Sequence, residues 1–213
     1  MKIGIIGSGT VARTLAAGLL DLGHDVLLGT RDPAQLQAFA AAHPQARLGS
    51  AADAAAFAEL AVLAVKGTAA VEAVRGVAAA LAGKTVIDTN NPIADAPPVD
   101  GVLPYFTGPN DSLLERLQQA YPAVKFVKAF NSVGAAAMVQ PTLAGGPPTM
   151  FIAGDDAASK AEVAALAKAL GWGVADMGSA RAARAIEPLC MLWCIPGFLA
   201  NDWVHAFRLL HPA

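Results

Sequence analysis

The feature that most constrains this chain is its first two dozen residues. Ile3, Ile5 and Ile6 form a short apolar strand that runs straight into Gly7-Ser8-Gly9-Thr10-Val11-Ala12. Val11, Leu15, Gly18, Leu19 and Leu22 then recur at helical spacing, and Gly23 follows where a C-cap residue belongs. The hexapeptide fits G-x-G-x-x-G/A in the right context, after a strand and at the opening of a helix. Gly7 allows the tight turn, Gly9 lets a pyrophosphate approach the backbone, and Ala12 keeps the helix close to the strand. The amides and dipole at the helix start favour phosphate oxygens. Gly7, Ser8, Gly9, Thr10, Val11 and Ala12 are therefore candidate dinucleotide-binding residues. The alternative is a plain glycine-rich turn.

The end of the second strand, Val26 to Leu28, selects between nicotinamide cofactors. NAD enzymes usually place a carboxylate there, about 20 residues after the glycines, to hold the ribose 2′-hydroxyl. This chain has Gly29-Thr30-Arg31-Asp32. Thr30 can donate to a 2′-phosphate, and Arg31 can pair with it and stack on adenine. Asp32 leaves open an acidic NAD residue displaced by two positions, but its place before Pro33 suits a helix N-cap. The expectation is NADP(H).

Strand and helix signals keep alternating. Apolar runs at Leu60–Val65, Val86–Asp88, Lys125–Phe130, Met150–Ala153 and Val174–Met177 read as strands. Helical spacing marks 33 onward, Val71–Leu81, Leu113–Tyr121 and the stretch after Asp155-Asp156. Proline and glycine are dense from Ala94 to Pro109 and again around Pro141–Pro148, which predicts loops. The expected fold is α/β: a Rossmann-type, doubly wound, mainly parallel sheet over 1–180 with a C-terminal helical extension over 181–213. That extension is expected to break near Pro196-Gly197 and continue to Leu210.

Composition excludes several classes. Hydrophobic residues make up 55% of the 213 and the net charge is -2, so a core forms easily and no basic field attracts nucleic acid. Two cysteines, Cys190 and Cys194, are too few for a disulfide scaffold and point to a reducing cytoplasm. Read as buried small residues they need no function; a redox pair or metal half-site is the alternative. The longest apolar stretch, Pro188–Ala200, falls short of the roughly 20 residues a membrane span requires, so no membrane partner is expected. None of the four histidines sits in a metal-ligand spacing, and no nucleophile elbow is present.

The pieces Gly7-Ser8-Gly9-Thr10, Thr30-Arg31, Leu63-Ala64-Val65 and Asp88-Thr89-Asn90-Asn91-Pro92 resemble the coenzyme F420-dependent NADP oxidoreductases. They are similar also to the cytoplasmic reductase domain of the STEAP ferric reductases, without the membrane haem domain. Val127-Lys128-Ala129-Phe130-Asn131, Asp176-Met177-Gly178-Ser179 and Ile186-Glu187 extend the likeness along the chain. The resemblance implies hydride exchange between NADPH and F420 or a flavin. It implies that Val65, Asn90, Asn91, Ala129, Phe130 and Asn131 wall the nicotinamide, that Met177 and Gly178 lie near the second ring, and that the protein is a homodimer.

Some residues stay open at this level. Lys66 suits either a phosphate or ring contact or a solvated loop. Lys128 sits at a sheet edge or reaches toward the cofactor. Trp193, Phe198, Trp203 and Phe207 cover the domain or form a dimer contact. No residue is clearly placed as a catalytic acid or base. Rival readings are a reductase of a small carbonyl or imine, a non-catalytic NADP(H) sensor, and an interaction protein.

Overall fold

A computed structural model describes residues 1–212. Its elements are β1 (Lys2–Ile6), α1 (Thr10–Asp21), β2 (Asp25–Gly29), α2 (Gln37–Ala42), β3 (Arg47–Gly49), α3 (Ala51–Phe57), β4 (Leu60–Leu63) and α4 (Ala70–Arg75). They continue with α5 (Ala78–Leu81), β5 (Thr85–Asp88), α6 (Leu113–Ala120), β6 (Lys125–Lys128), β7 (Thr149–Ile152), α7 (Ala157–Ala169), β8 (Gly173–Asp176) and α8 (Ala183–Ala200).

Six strands form one sheet in the order β3-β2-β1-β4-β5-β6, every pairing parallel. Parallel strands are buried on both faces, which is why β4 and β5 are wholly buried and read as continuous apolar runs. Two cores result. One packs α1, α2 and α7 on one face through Leu15, Phe39 and Val163; the other packs α3 to α6 and the start of α8 through Ala55, Leu114 and Ile186. The fold is therefore the doubly wound Rossmann type. Because the chain runs outward in both directions from β1 and β4, the crevice at their carboxyl ends is the place such sheets bind ligands.

The β3–α3 unit escaped the sequence reading, although its start signal is present. Ser50 caps α3 by accepting from the Asp53 amide at 3.1 Å, while the Asp53 carboxylate accepts from the Ser50 amide at 2.8 Å. Its alanines then lie so close to the sheet that a Cβ on Gly4 would fall 2.1 Å from the Ala54 carbonyl oxygen. Asp32 caps the turn after β2, accepting from the Ala34 amide at 3.0 Å.

Two departures follow from tertiary packing. β7 and β8 form a separate parallel pair, linked to the main sheet through an antiparallel bridge between Lys128 and Ala153. Phe130 adopts φ +59° and turns the chain, ending β6 at Lys128 rather than at residue 130. A bulky residue in the left-handed region is held there only by its surroundings. Here the buried ring packs edge-on to Trp172 at 6.5 Å.

The C-terminal helix also differs from expectation. α8 runs through both Pro188 and Pro196 without a break and stops at Asn201, which takes the left-handed conformation (φ 54°); residues 201–212 have no regular structure. The chain thereafter folds back: Thr149 donates its amide to the Phe207 carbonyl, and Trp193 stacks on His205 at 5.0 Å. By length and composition alone Ala180–Ala200 could cross a membrane. However, Ala183, Ile186 and Glu187 of this helix lie in the protein interior.

Candidate functional site

A cleft of about 1390 Å³ opens at the carboxyl ends of β1, β2, β4 and β5. Of the residues singled out from sequence, Gly7, Ser8, Gly9, Thr10, Val11, Thr30, Arg31, Val65, Lys66, Asn90 and Asn91 line it. Ala12 lies beneath, fully buried, as its role in close packing requires.

The glycine loop separates into one structural and one functional position. Gly7 has φ +140°, and a Cβ there would fall 2.1 Å from the Ala64 carbonyl oxygen, so the protein itself demands glycine. Gly9 has ordinary dihedrals (φ -72°), and a Cβ there would meet nothing within 4 Å. The protein's own packing does not need glycine at that point, which leaves the backbone open to the cleft. Gly9 is also the N-cap of α1, and no side chain caps that helix. Its first amides are left for an anion. These observations fit a dinucleotide pyrophosphate.

At the end of β2 the two predicted residues part company. Thr30 is nearly buried, and its hydroxyl donates to the Asp32 carbonyl and accepts from the Asp32 amide, each at 3.1 Å. Its hydroxyl closes the turn here, while the residue itself lines the cleft as expected. Arg31 is exposed and, among the described residues, makes no ion pair. Sequence reasoning missed Gln35, which lines the cleft and bridges the two loops: Ser8 donates to its Oε1 at 3.1 Å, and its Nε2 donates to Asp32 at 3.3 Å.

The other end of the cleft is set by asparagines. Asn90 accepts the Val65 amide on its Oδ1 at 3.0 Å, joining the ends of β5 and β4. Asn91 and Asn131 pair reciprocally, Asn91 Nδ2 donating to the Asn131 carbonyl at 2.8 Å and Asn131 Nδ2 to Asn91 Oδ1 at 3.0 Å. Ala129, Phe130 and Asn131 do not line the cleft. The turn at Phe130 buries the first two in the core and leaves only Asn131 in touch with a lining residue. Met177 and Gly178 are likewise elsewhere. β7 runs antiparallel to β6, so Gly178 bonds Gly154 beside Phe126, back from the carboxyl edge. Lys66 stands exposed at the mouth, 3.5 Å from Asp95. Ile93 to Ala96, in what reads as patternless loop, close that side.

Lys128 neither sits at an exposed edge nor reaches the cleft. It is fully buried, with its Nζ 2.7 Å from Asp88, 2.8 Å from Glu187 and 2.6 Å from the Asn90 carbonyl. Burial alone would push its pKa down, but the two carboxylates outweigh that and hold it above the ordinary lysine value. Cys190 and Cys194 are free and buried in a small cluster with Leu103 and Trp193. The hydrogen bond to Cys194 and burial push the Cys190 thiol up, the opposite of a reactive thiolate. Among the described residues no cluster suits a metal ion.

Fold and site together define a Rossmann-type dinucleotide-binding protein. Residues 2–92 match the family described as NADP oxidoreductase, coenzyme F420-dependent. Over its whole length the chain resembles an Arthrobacter sp. FB24 protein assigned as an F420-dependent NADP-reductase, with 38% identity, a TM-score of 0.93, and coverage of 99% of this chain and 100% of that one. It is 33% identical over 203 residues, 93% of its length, to rat (Rattus norvegicus) Metalloreductase STEAP3, of which it spans only 39%. An imine reductase from Streptomyces aurantiacus shares the fold at 18% identity and a TM-score of 0.69, covering 94% of this chain and 64% of that one. The chain belongs to the F420-dependent NADP oxidoreductase family.

Arg31 offers the sharpest test of cofactor choice. Charge-assisted hydrogen bonds are worth roughly 1.5–3 kcal/mol, so Arg31→Ala is expected to weaken NADPH binding by about ten-fold or more and to leave NADH nearly unchanged. Titration with both cofactors measures this; equal losses would remove Arg31 from the 2′-phosphate site.

Proposed function

We propose that the protein exchanges a hydride between NADP(H) and a flat flavin-type ring, F420 or a flavin, bound side by side in the carboxyl-edge cleft. The observation that carries this reading is the lining of the cleft: the glycine loop, Arg31 and the Asn90–Asn91 turn lie along one opening at the carboxyl ends of the parallel strands, where such sheets bind dinucleotides. Family membership supports the F420 reading.

In this reading Gly9 and the uncapped start of α1 take the pyrophosphate, and Arg31 takes the 2′-phosphate. The dinucleotide then extends across β1 toward β4 and β5, where Val65, Asn90 and Asn91 wall its reacting end. Bound NADPH supplies the hydride from C4 of its nicotinamide. The protein's part is to align two rings and exclude water, which needs no acid or base. Among the described residues no histidine or tyrosine lines the cleft to protonate an alkoxide, as carbonyl reduction would demand, and Lys66 stands exposed at the mouth beside Asp95. The protein is therefore expected to oxidise NADPH with F420, FMN or FAD and to do little with small carbonyls or cyclic imines. Absorbance of NADPH against that panel is the measurement. Turnover of a carbonyl or imine alone would overturn the assignment, and turnover of nothing would favour a sensor.

We also propose a homodimer in a reducing cytoplasm, with 181–213 as the extension that makes the contact. Trp193 faces inward and Phe207 is half-buried, but Leu192, Phe198 and Leu199 of α8 stay exposed, and Leu199 lies against Gly101 between the exposed Val99 and Val102. Exposed apolar side chains of this kind suit an interface core. Leu192→Glu/Leu199→Glu is expected to yield monomers in sedimentation velocity; a monomeric wild-type protein would end this proposal.

A further inference from the structure

Lys128 is the largest polar investment in the interior that the chemistry of the cleft does not use. One cation and two carboxylates are buried together: Lys128 and Asp88 are 0% exposed and Glu187 is 1% exposed. Buried charges persist only when their remaining hydrogen-bonding positions are satisfied. Glu187 therefore accepts the Leu113 and Leu114 amides at the start of α6, at 2.9 and 3.0 Å. Asp88 accepts both the Asn90 amide, at 3.0 Å, and its Nδ2, at 2.8 Å.

The third partner of Lys128 is what links this network to the cleft. By donating to the Asn90 carbonyl it completes the restraint of that residue, whose amide, side-chain nitrogen, side-chain oxygen and carbonyl all have partners. Asn91 follows at once and is held by Asn131, which in turn donates to the Ile186 carbonyl at 3.0 Å. Two adjacent residues of α8, Ile186 and Glu187, thus hold both asparagines of the cleft wall from behind. Neither Lys128 nor Glu187 lines the cleft; Glu187 borders a separate small pocket with Tyr105 and Arg184.

We propose that Lys128 is a positioning residue, fixed by Glu187 of α8, that sets the Asn90–Asn91 turn against the nicotinamide end of the dinucleotide. This rests on the reading of the cleft as an NADP(H) site. Its specific consequence is asymmetry. Loosening the turn should disturb the nicotinamide contacts and spare the adenosine end, which is held about the glycine loop and Arg31.

Lys128→Met alone leaves two buried carboxylates without a counterion and is a poor probe. The variant D88N/K128M/E187Q removes all three charges at nearly constant shape, so no buried charge is stranded; E187Q keeps one of the two oxygens that accept the Leu113 and Leu114 amides and gives up the other. Calorimetric titration with 2′,5′-ADP reports the adenosine end alone, and NADPH reports both ends. In the triple variant the 2′,5′-ADP affinity is expected to stay within about two-fold of wild type, while the advantage of NADPH over 2′,5′-ADP shrinks by about ten-fold, the loss of roughly one good contact. Proportional loss of both ligands, an unchanged ratio, equal binding of the two by the wild type, or failure of the triple variant to fold would each overturn the proposal. Turnover is not needed for this reading. If no flavin-type acceptor is reduced, the proposed reaction falls while the affinity ratio still decides the role of Lys128.

Discussion

Replacing Gly9 by valine is expected to abolish NADPH binding while leaving the fold intact. The two halves of this result come from one fact: a Cβ at Gly9 meets no atom beyond its chain neighbours within 4 Å, so the substitution fills the space over the start of α1. Circular dichroism should match wild type, and affinity should fall by about a hundred-fold or more, equivalent to about 2.7 kcal/mol. Gly7→Val is the informative contrast. There φ is +140° and the Ala64 carbonyl blocks the Cβ at 2.1 Å, so the same substitution two residues away should damage folding itself. Full NADPH affinity in Gly9→Val would show that the loop is only a turn.

Lys128→Met should cost stability in addition to the nicotinamide-end affinity that the triple variant isolates. Breaking a buried ion network by removing one partner destabilises by about 3–5 kcal/mol, because the remaining charges are stranded. For a chain of this size each kcal/mol moves Tm by roughly 2–4 °C, so a fall of about 6–20 °C is expected in a thermal melt. Neutralising Asp88 and Glu187 in the same chain should recover most of it. A single variant that melts within about 2 °C of wild type would mean that the carboxylates are not stranded by loss of the ammonium.

How much of the site the sequence disclosed depended on how local the cause was. The glycine loop was legible because its function and its geometry occupy six consecutive residues: the strand, the turn and the helix start are all written between Lys2 and Asp21. Arg31 was legible for the same reason, lying at a strand end a fixed distance on. Thr30 lies on the cleft where the sequence puts it, but the bonds of its hydroxyl to the Asp32 backbone were not legible. The β3–α3 unit carried a legible cap at Ser50-x-x-Asp53. Its short edge strand and alanine-rich helix, however, give little hydrophobic periodicity to detect.

The Val127–Asn131 block shows where reading along the chain fails. The residues look alike as a strand end, yet Lys128 is buried among charges and holds the Asn90 carbonyl from behind the cleft, Phe130 turns the chain with positive φ, and Asn131 pairs with Asn91. Likewise the prolines of α8 predict a break that does not occur, because the helix is held along its length by the core and by the returning C-terminal segment. The sequence by itself determined the Rossmann architecture, the glycine loop at the cleft and the cationic end of β2, since each is signalled by patterns within short stretches of the chain. Only the tertiary structure decided which asparagines face the cleft and what holds them. Those answers depend on Asp88, Lys128 and Glu187 meeting from three distant segments, and no local pattern encodes a meeting of that kind.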